Sequence, residues 1–583
     1  MSDWIPDDSV SQLIRKYALQ NALEYDGKGQ AGSVQGRVLG ENVELRQHAS
    51  QLFGLIMPAV EEANKIWAEK GAEEVRRILE NEAPDALEKR ERERREGLPE
   101  LANANEGEVV LRFAPNPNGP LTLGHSRGVI INSEYANMYS GKTILRFDDT
   151  DTKIKRPDER AYGWILDDFI WLTGKEPDLV IEASSRMDVY LEYSNQFISE
   201  GHMYVCNCTA DEFREYRIAK VECSCRSNSI EDNLSKWRQM NDNIQGYNEG
   251  EAVVRVKTGM NHKNPALRDW PALRIQTTPH PKVGDKYRVW PLLDFQSAVE
   301  DYEQRVTHII RGKDLMDSTR KQQILYDKVG WKYPETLYWG RVKIHEFGGF
   351  STSQMKSDIN EGNYTGWNDP RLPTLPAMRR RGYDAGAIRK FWIDLGLTQK
   401  DISVPLSTLN SLNSKAVDAD APRLSFVRNP CSINLDISKI ELTKVTLPIH
   451  PEHPDKGVRE WPLEEGSIKV NIASDDFNSH EARRLKDFAD IEINHEKTGD
   501  GWFGEVIRTE RLGNTPIIHW LPSNMAQPAV LLLEEEGILV TAEGLLEIND
   551  YPNGTIIQLE RMGFAILEGF EDNGARRLVR LHA

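Results

Sequence analysis

Residues Glu108 to Asp151 read EVVLRFAPNPNGPLTLGHSRGVIINSEYANMYSGKTILRFDDTD, and the order of elements in this stretch decides the fold. Val109 to Phe113 is a short β-branched and apolar run, suited to a buried parallel strand. Pro115, Pro117, Gly119 and Pro120 follow, none of them at home inside an element, so a loop is expected. Gly124-His125 opens a predicted helix carrying Val129, Ile130 and Met138, with Gly141 placed to end it. Thr143 to Phe147 predicts a second strand, with Asp148, Asp149 and Asp151 at its carboxyl end. This is a βαβ unit, and ligands of such sheets bind beyond the carboxyl ends of the strands.

That geometry carries chemistry. A helix beginning at Gly124 aims unpaired backbone N–H groups and a positive dipole end at the preceding loop, which makes an anion site. Gly124 has no side chain, so a flat ring such as adenine has room against the backbone. His125 is a hydrogen-bond donor at the same helix start, suited to a phosphate. Arg112 and the Asp148 group line one crevice from two strand ends. Neither the G-x-x-x-x-G-K-[ST] phosphate loop nor a G-x-G-x-x-G fingerprint is present here.

The run Pro115 to His125, PNPNGPLTLGH, resembles the HIGH signature of class I aminoacyl-tRNA synthetases, and RFAPNPNG with RFDDTD resembles the glutamyl/glutaminyl subgroup. Thr122 stands where that family usually has its first His. The resemblance implies ATP contacts at Pro115, Asn116, Gly119, Gly124 and His125, with His125 and Thr122 at the reacting phosphate.

Composition sets the frame. A chain of 583 residues suggests about four domains. With 28% charged and 39% hydrophobic residues it can bury several cores. No apolar run approaches the roughly 18 residues of a membrane span. The start, MSDWIPDDSV, is acidic and lacks a secretory apolar core, so a cytoplasmic protein is expected. A net charge of −18 leans away from nucleic acid, because phosphate contacts carry much of such affinity. Local basic strips such as Met378 to Arg381 and Arg576 to Arg580 are compatible with an acidic exterior.

Residues 1–105 read as a charged helical extension. Ser9 to Leu23 places Val10, Leu13, Ile14, Tyr17, Ala18 and Ala22 near a 3.6 period, a Gly-rich stretch from Gly27 to Gly40 interrupts, and Ala49 to Ile66 is a second amphipathic segment. Glu88 to Glu96 (EKRERERRE) is a solvated charge run. The segment resembles the extension of archaeal glutamyl-tRNA synthetases. Residues 106–205 form the first half of a Rossmann-type core, in which Pro157-Asp158 start a helix with Trp164, Ile165, Phe169 and Leu172 on its core face. A further helix is expected from Met187 to Ser199.

Within CNCTADEFREYRIAKVECSCR, Cys206, Cys208, Cys223 and Cys225 make two C-x-C pairs around a helical connection. Four of the five Cys lie within this run. They suit a closed tetrahedral zinc site of structural role, the alternative being buried free thiols. Residues 206–286 are read as an inserted domain, with strands at Val253 to Val256 and Leu273 to Ile275. Some glutamyl enzymes carry a related zinc site where the domain gripping the tRNA acceptor stem begins.

Residues 287–345 return to the nucleotide fold, with a buried strand at Val306 to Ile310 ending at Arg311. By resemblance, Arg112 and Arg311 engage the amino acid substrate, Asp148 holds its ammonium group, and Ala114, Asn116, Ser297 and Leu293 fall at other contact positions. Glutaminyl enzymes have no Arg at the position of Arg311. A guanidinium binds a carboxylate through two charge-assisted hydrogen bonds and stays unpaired against an amide. The competing reading of Arg311 is a strand-end Arg paired with a local acid.

Residues 346–420 are read as a loop and helical connector. Gly348-Gly349 and the Ser/Thr cluster predict a mobile loop, in which F-S-T-S-Q-M-K resembles the KMSKS signature. Ser353 and Gln354 fall at ATP-contacting positions. Gln354 stands where the family has its Lys, and Lys356 is the nearest cation. Residues 421–583 show short β-rich runs, including Ser467 to Ile472, Ala529 to Leu533 and Thr555 to Leu559, which predict antiparallel β-barrels. LPIHPEHPDKG (Leu447 to Gly457) resembles the anticodon-binding barrels of glutaminyl and archaeal glutamyl enzymes.

The whole implies a multidomain α/β plus β protein: a class I Rossmann-type core, an inserted acceptor-binding domain, a helical connector and C-terminal anticodon-binding β-barrels. The implied activity is ATP- and Mg²⁺-dependent ligation of glutamate to tRNA(Glu) through glutamyl-adenylate, with structural Zn²⁺. Whether tRNA(Gln) is a second acceptor is left open. No membrane partner is expected, and the chain is expected to act as a monomer. A glutaminyl-tRNA synthetase is the nearest alternative, and a non-catalytic tRNA-binding protein on the same fold a further one.

Overall fold

The structure, a computed structural model, describes residues 6–87, 97–348, 351–477, 482–494 and 501–583. The chain forms two compact units, Met1–Glu96 and Gly97–Ala583. The charge run Glu88 to Glu96 lies outside the described residues.

The first unit is helical. Helix α1 (Asp8–Glu24) opens at Asp7, whose carboxylate accepts the Val10 N–H at 2.9 Å. It buries Val10, Ile14, Ala18 and Ala22, the stripe its periodicity predicts, against Val34, Val38, Leu52, Ile56 and Val60. The Gly-rich stretch is not a break: it holds α2 (Ala31–Glu41). Gly32, Gly36 and Gly40 recur every fourth residue on a face where a Cβ would meet nothing, while Val34 and Val38 are buried. Helix α3 (Ala49–Glu82) runs past Ile66 and is interrupted at Gly71, whose φ of 80° is a left-handed value that favours glycine.

In the second unit β1 (Val110–Phe113), α4 (Leu123–Met138), β2 (Lys142–Phe147), α5 (Glu159–Thr173) and β3 (Leu179–Glu182) follow in order. The strands form a parallel sheet ordered β1-β2-β3. Helix α4 starts one residue before Gly124 because Thr122 caps it. Gly141 does not end it. Ser140 takes the left-handed turn at φ 47°, and Gly141 is needed because a Cβ there would lie 2.2 Å from the Val109 carbonyl oxygen. Asp158 caps α5, which buries Ile165, Phe169 and Leu172, with Trp164 half-buried.

Helix α6 (Met187–Ser199) leads into an antiparallel sheet of β4 (Met203–Cys206), β5 (Val253–Val256), β6 (Pro271–Ile275) and β7 (Val289–Pro291). Helices α7 (Ala210–Ala219) and α8 (Ile230–Asn241) lie between β4 and β5. The chain then returns through α9 (Leu293–Glu303), β8 (His308–Gly312), α10 (Met316–Val329) and β9 (Glu335–Trp339). β8 pairs in parallel with β9 and is tied to β1 by the Thr307 N–H donating to the Val110 carbonyl at 3.0 Å. The spatial order is therefore β9-β8-β1-β2-β3. The crevice between β1 and β8, where the strand order reverses, is where an open α/β sheet binds its ligand.

The segment Ser351 to Lys356 is helical, not a loop. Ser351 caps a helix, α11 (Thr352–Asn360), by accepting the Gln354 N–H at 3.1 Å. Met355 is buried against Leu372 and Ala377 and anchors it. The Ser-x-x-Gln spacing is itself a helix-start signal that outweighs the Ser/Thr-rich composition. Gly349 and Phe350 lie outside the described residues. Helices α12 (Leu375–Arg381), α13 (Ala385–Leu395) and α14 (Leu406–Val417) complete the connector.

Beyond Ala421 lie two seven-stranded, near-barrel sheets. Their strands include Ser467–Ala473, Ala526–Glu535 and Ile556–Leu559, at the positions expected. The pairing is mixed, not purely antiparallel: Ile433 lies parallel to Trp502, and Ala529 to Arg576. Strands far apart in sequence meet edge to edge there, without a hairpin to force opposite directions. Leu447 to Gly457 forms the end of the hairpin Lys444–Pro448 and Val458–Pro462. No described helix is long and apolar enough to cross a membrane.

Candidate active site

Arg112 leaves β1 and Arg311 leaves β8, so both reach the crevice at the reversal point. They line a cavity of about 220 Å³ with Ala114, Arg146, Asp148, Leu293 and Ser297. Every residue expected to contact the amino acid, Asn116 excepted, is among its walls.

A charged network organises this cavity. Asp301, fully buried, takes the Arg112 Nε–H at 3.1 Å and the Arg146 Nη1–H at 2.8 Å on one oxygen. Arg146 also donates from Nε to Asp148 Oδ1 at 2.8 Å and from Nη2 to Ser297 Oγ at 3.1 Å. Gln296 donates to the same Asp148 oxygen at 2.8 Å. Burial pushes the Asp301 carboxyl up, but Arg112, Arg146 and Arg311 outweigh it and hold it below the usual carboxylate range. Burial likewise opposes the charge on Arg146, and Asp148 and Asp301 overcome it.

Arg311 is different. It is 6% exposed, and among the described residues no carboxylate pairs with it. Its Nη1 donates to Gln322 Oε1 at 3.1 Å, and its buried Nε has no partner. Burial first, then the charge of Arg112, pull its pKa below the usual guanidinium value. This is not the strand-end Arg with a local acid. Arg112 and Arg146 are paired with Asp301 and Asp148, and Asp294 on the same wall is held by Lys321, so Arg311 is the cation left without an acid of its own. Leaving a buried donor and a buried charge unpaired is costly, so the arrangement calls for an anion.

At the start of α4, Thr122 and His125 cap the helix reciprocally. The His125 N–H donates to Thr122 Oγ1 at 3.4 Å, and the Thr122 N–H donates to His125 Nδ1 at 3.3 Å. Nδ1 therefore accepts, which leaves the ring proton on Nε2, free to donate outward. The ring reaches the surface, yet surrounding protein, and then the Lys155 charge, hold its pKa below the ordinary histidine value. A Cβ on Gly124 would meet only Thr122 Oγ1, at 3.7 Å, so the space above the helix start is open.

Asn116 is structural as well as near the site: its amide donates to the Asp148 carbonyl at 2.9 Å, while the Pro115 carbonyl accepts the Asp148 N–H at 2.9 Å. Gly119 marks where α11 docks. A Cβ there would stand 2.8 Å from Thr352 and 3.1 Å from the Trp367 ring. Lys356 Nζ lies 3.7 Å from the Asp158 carboxylate and is half-exposed, and the Asp158 N–H donates to the Pro117 carbonyl at 2.8 Å. Ser353 and Gln354 are exposed, and the Gln354 amide turns along the helix to Asp358 at 3.1 Å.

The cysteines form a separate centre. The four sulfurs of Cys206, Cys208, Cys223 and Cys225 lie within 4.8 Å of one another, with Cys206 and Cys223 4.0 Å apart and Cys208 and Cys225 3.9 Å apart. A tetrahedral zinc ion with zinc–sulfur bonds of about 2.3 Å needs sulfurs about 3.8 Å apart, so the set fits. The Asn207 N–H donates to Cys225 Sγ at 3.4 Å. No disulfide joins any of the four.

Arg146, Gln296, Asp301 and Gln322 escape a motif reading. One signal was available: Arg146 is a charge inside the apolar strand TILRF, and a buried charge needs a partner or a purpose. Gln296 and Glu300, and Ser297 and Asp301, repeat a polar residue at helical spacing on α9, pointing inward.

Residues 108–419 match the family described as tRNA synthetases class I (E and Q), catalytic domain, and residues 421–509 match the anti-codon binding domain of the same group. The chain belongs to this class I family. Its relatives include a glutamate–tRNA ligase of Archaeoglobus fulgidus, 43% identical over 97% of this chain and 98% of the relative. Those of Methanosarcina barkeri and Pyrococcus furiosus are 43% and 41% identical, covering 96% and 97% of this chain and 97% and 98% of their own lengths.

Proposed function

We propose that this protein ligates L-glutamate to tRNA(Glu) in two steps, forming glutamyl-adenylate from glutamate and ATP·Mg²⁺ and passing the acyl group to the terminal ribose. The observation that carries the reading is Arg311, buried beside Arg112 without an acid of its own. The substrate side-chain carboxylate supplies the missing negative charge, and a glutamine amide does not. Asp148, with one oxygen already held by Arg146 and Gln296, turns the other to the substrate ammonium group.

ATP lies over Gly124, with His125 Nε2 and the α4 N-terminus toward its phosphates and Pro115, Asn116, Gly119, Ser353 and Gln354 around it. Attack of the glutamate α-carboxylate on the α-phosphate builds charge on phosphoryl oxygens, which fixed donors stabilise. Lys356 takes the part of the cation absent at Gln354, exchanging Asp158 for the departing pyrophosphate. Thr122 keeps His125 in its tautomer.

The four cysteines hold a structural zinc ion that ties the start of the inserted domain, residues 206–286, to β4. Residues 421–583 bind the anticodon and 1–105 form an extension. The chain acts as a monomer in the cytoplasm, with tRNA(Gln) as the second acceptor to examine. Glutamate-dependent pyrophosphate exchange with tRNA present, run beside glutamine, tests the reading: exchange with glutamate alone supports it, and exchange with glutamine or with neither refutes it.

A further inference from the structure

Arg146 reaches each part of the amino-acid pocket, yet offers nothing to a substrate. Its Nε, Nη1 and Nη2 are all engaged, on Asp148 at 2.8 Å, Asp301 at 2.8 Å and Ser297 at 3.1 Å. The side chain is 1% exposed. It rises from β2, which pairs on both edges, so its root is fixed by backbone hydrogen bonds. Asp301, its central partner, holds Arg112 with the same oxygen. One planar fork thus joins the carboxylate proposed to hold the substrate ammonium to Arg112, which stands beside Arg311, the guanidinium proposed to hold the side-chain carboxylate.

We infer that Arg146 is a positioning residue that fixes the span between Asp148 and the neighbouring Arg112 and Arg311, and thereby selects the chain length of the acidic amino acid the pocket accepts. The inference rests on the proposed use of glutamate. A rigid span suits one separation of ammonium and carboxylate, and an acidic amino acid one methylene shorter reaches one anchor at the expense of the other. Charge alone does not supply this. A lysine at this position keeps the charge but is a single point donor, unable to hold three acceptors in one plane.

The test is steady-state charging of tRNA(Glu) by the full chain carrying Arg146→Lys, with glutamate, aspartate and ATP each varied. The expected result is a glutamate KM raised about a hundredfold, as for an anchor displaced by about 1 Å, with the ATP KM changed less than about twofold. The preference for glutamate over aspartate should fall by about tenfold or more, a readout that general loosening does not move selectively. A glutamate KM within about threefold of the native value, or glutamate and ATP KM values rising together, overturns the inference. Should Arg146→Lys not fold, Asp301→Asn decides. It keeps the shape and an acceptor oxygen, removes the charge that holds both guanidinium groups, and should give the same split at about tenfold. An unchanged glutamate KM in a folded Asp301→Asn overturns the inference. Absence of glutamate charging by the native protein is a separate result, which removes the proposed function itself.

Discussion

Around Arg146 every guanidinium nitrogen has a partner and Asp301 is sealed from solvent, whereas at the start of α4 His125 reaches the surface and on α11 Lys356 holds Asp158 at 3.7 Å. The proposed function makes these the amino-acid end and the phosphate end of one site, with different tasks. An amino acid is recognised in its ground state, and a prebuilt, buried frame discriminates by what it leaves unpaired. Phosphate charge grows only as the bond to pyrophosphate breaks, so groups there act on the transition state and gain nothing from gripping ATP beforehand. Rigid anchoring on one side and an available cation on the other follow from that division.

The largest effect that sharpens this contrast is expected from Arg311→Ala. Removing the partner of a buried carboxylate costs about 3–5 kcal/mol, so kcat/KM for glutamate should fall by about 10²–10⁴-fold with the ATP KM nearly unchanged. Charging at the native rate breaks the assignment. Next comes Lys356→Ala, where loss of one electrostatic donor costs about 2.7–4 kcal/mol. Adenylate formation, followed by single-turnover kinetics, should slow about a hundredfold or more while tRNA affinity holds. A variant retaining most of its activity shows that another cation neutralises the phosphates.

Smaller again is the effect of Gly119→Ala. The added methyl meets Thr352 and the Trp367 ring, so α11 must give way. We expect turnover to drop by about tenfold with the glutamate KM unmoved, because only the phosphate end is displaced. A raised glutamate KM instead makes the two ends one unit. The centre at the cysteines should influence neither end directly. Metal analysis should find about one zinc per chain, and Cys208→Ser should lose it and weaken tRNA use before glutamate use. Two disulfides and no metal would contradict the zinc reading.

Much of this contrast was legible in the sequence, and unevenly. Arg112, Asp148, Ser297 and Arg311 are found from the βαβ pattern and the family resemblance, and the fold does bring them to one cavity. Their supports were not found, because Arg146 and Asp301 meet only through the folding of segments 155 residues apart. The helix at Ser351 escapes a sequence reading for a related reason. Its Ser/Thr composition favours a turn, but the Ser351 cap is local and Met355 is buried by Leu372, a contact no short window contains. At Gly141 the glycine signal suggests a helix end, while the structure uses it for close approach to the Val109 carbonyl.

The most direct measurement is charging of tRNA(Glu) by the native protein with radiolabelled glutamate and, in parallel, glutamine. Glutamate should become esterified to the tRNA in an ATP-dependent reaction and glutamine should not. Esterified glutamine, or no charging with either amino acid under conditions where the tRNA binds, would contradict the account.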